Sequence, residues 1–332
     1  DGYGRLLGKR IVGRHFLDLS LNQGTQQGDD FRAFVRKDLA AWNDAQKSGH
    51  YEEANFSWSR VSPYGIFGGS LRGVEYDLKL SGNIFDGQVI QGEMYWFYPL
   101  SASQTQRWSL IAKLDRTRKS TEISGGAELQ RELYSSAELA QAYSTRAPLL
   151  GYPASADLSL SLRRGLGDER LQISNAQGNY FLWRPAVRLS LGNTAVLGLG
   201  LELSAQISLD TVPEQSQWVI GGLGNLTAFL PGLAVGDRGF NARFSADLGS
   251  YPLWDVNWKP LLLAEYACAE FTQLAPGRPA AADAGFELNG QINTWLSLTL
   301  AYAESFYDKD LSEATLDAAD ANLHFRISAR FN

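Results

Sequence analysis

Residues Ala195 to Asp210 read AVLGLGLELSAQISLD, a run in near-perfect alternation. The odd positions, Ala195, Leu197, Leu199, Leu201, Leu203, Ala205, Ile207 and Leu209, are all apolar. Apart from Val196, the even positions are glycine or polar: Gly198, Gly200, Glu202, Ser204, Gln206, Ser208 and Asp210. Side chains of a strand point to opposite faces in turn, so this segment has one apolar and one polar face. Globular strands usually run to about 5–6 residues, and this one is far longer. Its length suits a tilted strand that crosses a hydrocarbon layer and projects beyond it.

The end of the chain repeats the pattern. Leu323, Phe325, Ile327, Ala329 and Phe331 alternate with His324, Arg326, Ser328, Arg330 and Asn332, so one face suits hydrocarbon and the other water. Earlier, Leu17, Leu19 and Leu21 interleave with Asp18 and Ser20, and Val74, Tyr76, Leu78 and Leu80 with Glu75, Asp77 and Lys79. The stretch AELQRELYSSAELAQAY within Glu122 to Pro153 balances helix propensity against strand continuity, and continuity of the sheet favours a strand. With that strand and a short one at Trp218 to Gly222, the candidates number about sixteen. An even number of antiparallel strands, each with its turn taking roughly 21 residues, is the plan of outer-membrane barrels. Closure is a physical requirement in lipid, where an open edge leaves backbone groups unpaired. The expected fold is all-β, a transmembrane antiparallel barrel of sixteen strands over 11–332 with a lead-in at 1–10. A soluble sandwich or propeller fits less well, because the strands are long and no repeat is present.

Composition agrees. No apolar run in the 332 residues reaches the length of a membrane-spanning helix. Aromatic residues make up 12% of the chain and glycines number 33, the balance of strands with many turns. Pairs such as Trp96 with Tyr98 and Trp254 with Trp258 are placed to sit at membrane interfaces. The formal net charge of -6 with mixed signs speaks against nucleic-acid binding. The single cysteine, Cys268, leaves no intrachain disulfide or thiolate cage and is read as a small apolar filler. The chain opens on Asp1, as a processed or excised fragment would.

Catalytic chemistry is not legible. The histidines are His15, His50 and His324, and no GxSxG elbow is present. His324 and Ser328 share a face but stand roughly 13 Å apart by strand rise, too far for proton transfer. His324 is read as a lumen-facing polar residue. No His or Cys spacing indicates a metal, and YDKDLSEATLDAAD (Tyr307 to Asp320) lacks the glycine-centred ligand spacing of a calcium loop, so it is read as a solvated loop. Neither an enzyme activity nor a cofactor is expected.

One stretch is not explained by strand-making. WVIGGLGNLTAFLPGLAVGDRGFNARFSADL (Trp218 to Leu248) breaks at Gly221, Gly222 and Gly224, passes Pro231 and Gly232, and regains order at Gly236-Asp237-Arg238-Gly239. A glycine-rich loop of this length inside an ordered chain is usually functional. Taken with Gln206, Ser208, Asp210 and the PEQ at Pro213 to Gln215, these motifs resemble the barrel of two-partner secretion transporters, the TpsB branch of the polypeptide-transporting outer-membrane barrels. LSLNQGTQQGDDFRAFV and SRVSPYG resemble earlier parts of that barrel in order, and the likeness spans nearly the whole chain.

The resemblance implies a sixteen-stranded barrel in the outer membrane of a Gram-negative bacterium, with 211–239 including a loop folded into the lumen. It implies periplasmic POTRA domains in the family, of which this chain carries none. The implied partners are a secreted passenger polypeptide, outer-membrane lipid and the barrel-assembly machinery, which would read Phe325, Ile327 and Phe331 as a C-terminal insertion signal; the barrel would be monomeric. The family's loop tip carries an arginine, then a small residue and an aromatic, and the arginine meets an acidic residue of the wall. Here the tip is Leu226-Thr227-Ala228-Phe229: Ala228 and Phe229 match, and Thr227 stands where the arginine belongs. Threonine cannot reproduce a guanidinium's paired hydrogen bonds. Either the loop is held differently or part of the transport machinery is lost; Asp237 and Arg238 offer a replacement pair, although the family has a similar Gly-Asp-x-Gly there. Arg243, Asp247, Arg326 and Arg330 are expected to line the lumen. A passive porin, or the anchoring barrel of a patatin-like autotransporter, is the alternative.

Overall fold

The computed structural model describes residues 16–39, 50–80, 83–123, 127–172, 178–193, 197–254, 256–272 and 277–329. The lead-in at 1–10, Arg330 and Phe331 lie outside these residues. The first ten strands are β1 (Phe16–Gly24), β2 (Asp29–Asp38), β3 (Tyr51–Ser62), β4 (Gly65–Leu80), β5 (Asn83–Ala102), β6 (Gln106–Ile123), β7 (Ala127–Leu149), β8 (Tyr152–Gln172), β9 (Phe181–Asn193) and β10 (Leu197–Ser208). Then follow β11 (Trp218–Ile220), β12 (Ala234–Gly236), β13 (Arg238–Asp247), β14 (Tyr251–Leu253), β15 (Val256–Glu270), β16 (Ala280–Gln291), β17 (Leu296–Lys309), α1 (Glu313–Ala319) and β18 (Leu323–Ala329).

All of these strands except β11 and β12 form one sixteen-stranded sheet in which sequence neighbours pair antiparallel. The balanced stretch becomes the 23-residue β7, paired to β6 on one side and β8 on the other, so ladder formation on both edges overrides its helix propensity. The short strand at Trp218 is a correction: β11 pairs only with β12, in a separate two-stranded sheet. Its place in the count is taken by β14, which pairs with β15 off the main path. Fifteen strands therefore follow one another, and β1 and β18 run in the same direction. Among the described residues no ladder joins these two edges.

The alternation emerges inside out. On β10, Leu199 and Ile207 are exposed, whereas Gln206 and Ser208 are buried. Leu19 is 61% exposed and Ile327 66% exposed, each on the apolar face of an edge strand. Every leucine-sized side chain gains about 1.5–3 kcal/mol on leaving water, so this surface needs an apolar solvent. The polar face holds ion pairs in cross-strand register, such as Arg36 with Asp18 at 2.6 Å.

The two ends also differ. Tight turns join β1 to β2, β3 to β4, β7 to β8 and β16 to β17, while the longer connections cluster at the opposite end. The connection between β10 and β13 leaves from that second end and folds over the polar face. Its Glu214 pairs with Lys119 on β6, and its Thr227 bonds to Glu265 on β15 and His324 on β18. Strands so far apart in sheet order meet one segment only if the sheet curls around it.

The acidic stretch near 310 stays largely exposed but is not a plain loop, since β17 runs to Lys309 and α1 covers Glu313–Ala319. Ser312 caps α1 by accepting the Thr315 N–H, and Leu311 and Leu316 pack towards the β10–β13 connection.

Candidate functional site

The connection between β10 and β13 is fastened at two places. At its base, the buried Asp237 carboxylate accepts the N–H of Val212 at 3.0 Å and that of Thr272 at 2.9 Å. Gln206 donates to the carbonyls of Ser216 and Asp237, both at 2.9 Å, and Arg184 holds the Gln206 side-chain oxygen at 2.7 Å. Arg238 pairs with Glu270 at 2.6 Å. Gly239 is required here, because a β-carbon would collide with the Trp218 indole.

From this base β11 and β12 project a turn. Gly221 and Gly222 have φ of 100° and 95°, and a β-carbon on Gly221 would strike the Leu230 carbonyl. The Gly222 N–H donates to the Phe229 carbonyl at 2.8 Å, closing the turn on itself.

The tip, Leu226 to Leu230, is buried, with Thr227 at 0% exposure. Ile220, Leu226, Ala228, Phe229 and Leu233 pack on Ala267 and Ala269 of β15, Ala281 of β16 and Ala303 of β17. Small wall residues let the loop come close. The polar contacts are made by its main chain: the N–H of Thr227 donates to Glu265 Oε2 and that of Ala228 to Asp283 Oδ2, both at 2.7 Å. His324 Nε2 lies 2.8 Å from the Thr227 carbonyl and must donate, since a carbonyl only accepts. Ala321 donates to the Ala228 carbonyl at 3.0 Å, and Leu230 to that of Ala319 at 2.7 Å. The Thr227 hydroxyl makes no hydrogen bond among the described residues.

A guanidinium does serve this site, but not the expected one. Arg243 on β13 reaches Glu265 Oε1 and Glu287 Oε2, each at 3.4 Å. Glu265 thus stands between a wall arginine and the tip's amide. Asp237 and Arg238, expected as the replacement pair, hold the base instead, because β13 begins at Arg238 and lies far along the loop from the tip.

The remaining sequence candidates separate by face. Asp247 accepts the Gly249 N–H at 2.9 Å next to a turn, and Arg326 lies opposite Thr299 on β17. Phe325 and Ile327 are exposed on the apolar face. Sequence reasoning missed Glu265, Asp283, Glu287 and Lys119. The available signal was a carboxylate flanked by alanines on an alternating strand, as in LLLAEYACAE and AAADAGFE.

No protein-family model matches the sequence, and no curated protein matches it. Among solved structures, the chain superposes on CdiB from Escherichia coli with a TM-score of 0.79 at 12% identity, covering 97% of this chain and 60% of that one. The fold is that of the CdiB barrel. CdiB from Acinetobacter baumannii gives a TM-score of 0.68 at 14% identity, covering 95% of this chain and 59% of that one. BamA from Haemophilus ducreyi lacking POTRA domains 1-3 gives 0.56 at 14% identity, covering 94% and 69%. The chain therefore has the architecture of these CdiB and BamA structures, and it spans about three fifths of the length of either CdiB structure.

Proposed function

We propose that the sheet closes into a barrel in the outer membrane of a Gram-negative bacterium, and that the barrel passes an unfolded partner polypeptide through a lumen plugged by the Gly221 to Gly236 loop. The observation that carries this reading is the docked tip: the Thr227 and Ala228 amides on Glu265 and Asp283, inside a sheet whose outward face is apolar. The CdiB architecture supports it. Outer-membrane barrels keep short turns at the periplasmic end, so the loop would enter from outside.

No catalytic residue is called for. Releasing the tip frees the space it fills against β15, β16 and β17 while the base stays fastened through Asp237, Gln206 and Arg184. The vacated passage would be lined by charged groups, among them Arg243, Asp247 and Arg326. Folding of the passenger outside would supply the free energy.

Single-channel recording on the chain in planar bilayers tests the proposal. A plugged translocator is mostly closed with brief flickers, and removal of 221–236 makes the open state steady. A steady open state in the intact chain would instead identify a passive porin. Normal export of its partner by cells lacking this protein would dispose of the transport reading.

A further inference from the structure

Resting on the translocator reading, we infer that the seat of the loop tip is itself a peptide-binding site for the passenger, and that the tip occupies it as an internal substitute. The contacts are of a kind that any polypeptide can offer. Two successive main-chain N–H groups, those of Thr227 and Ala228, meet Glu265 and Asp283 at 2.7 Å. The two carboxylates are direct cross-strand partners on β15 and β16, which sets their spacing. The intervening carbonyl of Thr227 meets His324 at 2.8 Å.

Beyond them, the end of α1 and the two residues after it offer main-chain groups to the tip. Phe229 and Asp320 form an antiparallel bridge, flanked by the bonds from Ala321 to the Ala228 carbonyl and from Leu230 to the Ala319 carbonyl. Main-chain hydrogen bonding of this kind reads backbone and little sequence.

Side-chain identity enters through packing, since Leu226, Ala228 and Phe229 all lie in the buried cluster. The Thr227 hydroxyl is buried without a hydrogen bond, so it contributes no polar contact, whereas Phe229 is packed into the alanine-floored cluster. Asp283 Oδ1 also lacks a hydrogen bond among the described residues, so the site has an acceptor to spare. The ligand class is an unfolded peptide able to take up the turn of the tip, in which the Phe229 N–H closes on the Leu226 carbonyl at 3.1 Å, so that two consecutive amides face the wall and a large apolar side chain follows them. An arriving passenger can replace the tip's donors with its own, so the buried carboxylates need never stand bare. Uncompensated, they would oppose release.

The probe is a blocked peptide of the sequence Asn225 to Gly232, NLTAFLPG, added to the barrel lacking 221–236 while its conductance is recorded. Three versions are compared: the parent peptide, one with valine for the threonine, and one N-methylated at the threonine and the alanine. The parent and valine peptides should block equally, and the methylated one at least about tenfold more weakly, since it has lost two charge-assisted hydrogen bonds. Equal block by the methylated peptide, or loss of block with valine, overturns the inference. A second arm uses the intact chain carrying a fluorescent label at Leu223→Cys, on the exposed side of the docked loop, where the parent peptide should increase the label's mobility and the methylated one should not. No release by the parent peptide also overturns it. If the shortened barrel inserts but never conducts, the translocator reading falls, and the label arm still decides whether the seat binds peptide.

Discussion

The N–H of Thr227 lies 2.7 Å from a Glu265 oxygen whose neighbour in the same carboxylate faces Arg243 at 3.4 Å. A wall carboxylate is thereby shared between a loop amide and a wall guanidinium. Replacing Glu265→Ala leaves the buried Thr227 amide without its acceptor and Arg243 with Glu287 as its remaining partner, which costs about 1–3 kcal/mol of docking. The expected result is a channel with long open dwell times that approach those of the barrel lacking 221–236. Unchanged gating in Glu265→Ala would show that the carboxylate does not hold the tip.

Arg243 supplies a guanidinium beside Glu265 from the wall itself. Its side chain also meets Glu287, so it fixes the orientation of the wall carboxylates. Arg243→Ala should loosen the tip by about 2 kcal/mol. Adding Thr227→Arg in that background returns a guanidinium to the volume just vacated, and should restore most of the closed time. Protease accessibility of the loop, measured across the four combinations, gives the coupling directly.

Gly239 sits against Trp218 with no room for a β-carbon. Gly239→Val should displace the indole and destabilise the base of the loop by about 1–3 kcal/mol. Pairing it with Trp218→Ala removes only the indole contact, because the Cys268 carbonyl lies 2.5 Å from the same β-carbon position, so the double variant should recover little. Thermal unfolding in detergent and single-channel noise both report it.

Leu199 and Glu202 lie on opposite faces of β10. If the outward face meets hydrocarbon, Leu199→Arg should cost about 2–4 kcal/mol towards the middle of the bilayer, whereas Glu202→Gln should change conductance and leave stability nearly intact. Unfolding in urea from lipid vesicles checks the first, and ion selectivity the second. Equal tolerance at both positions would contradict the assignment of faces.

Much of the fold was legible because a two-residue period needs no knowledge of partners. Leu197 to Leu209 declares an apolar face whatever the strand pairs with, and Leu323 to Ala329 does the same. Where local preferences conflicted, pairing decided: β7 is a strand because β6 and β8 both take up its backbone groups. Trp218 to Ile220 alternates too weakly to reveal that its partner is Ala234 to Gly236 and not the main sheet. The Asp308 to Asp320 stretch looked merely polar, since the packing of Leu311 and Leu316 depends on where the loop comes to rest.

By itself, the sequence determined the class of fold, the two unlike faces and the exceptional loop, including the threonine at its tip. These follow from residue type and periodicity, which are local properties. The tertiary structure decided how the tip is held. The pairing of β15 with β16 sets Glu265 beside Asp283, His324 comes from β18, and only the folding of the loop back over the polar face brings Thr227 and Ala228 to them. Main-chain amides, which every residue carries, make the decisive contacts there, so no pattern of side chains could have announced them.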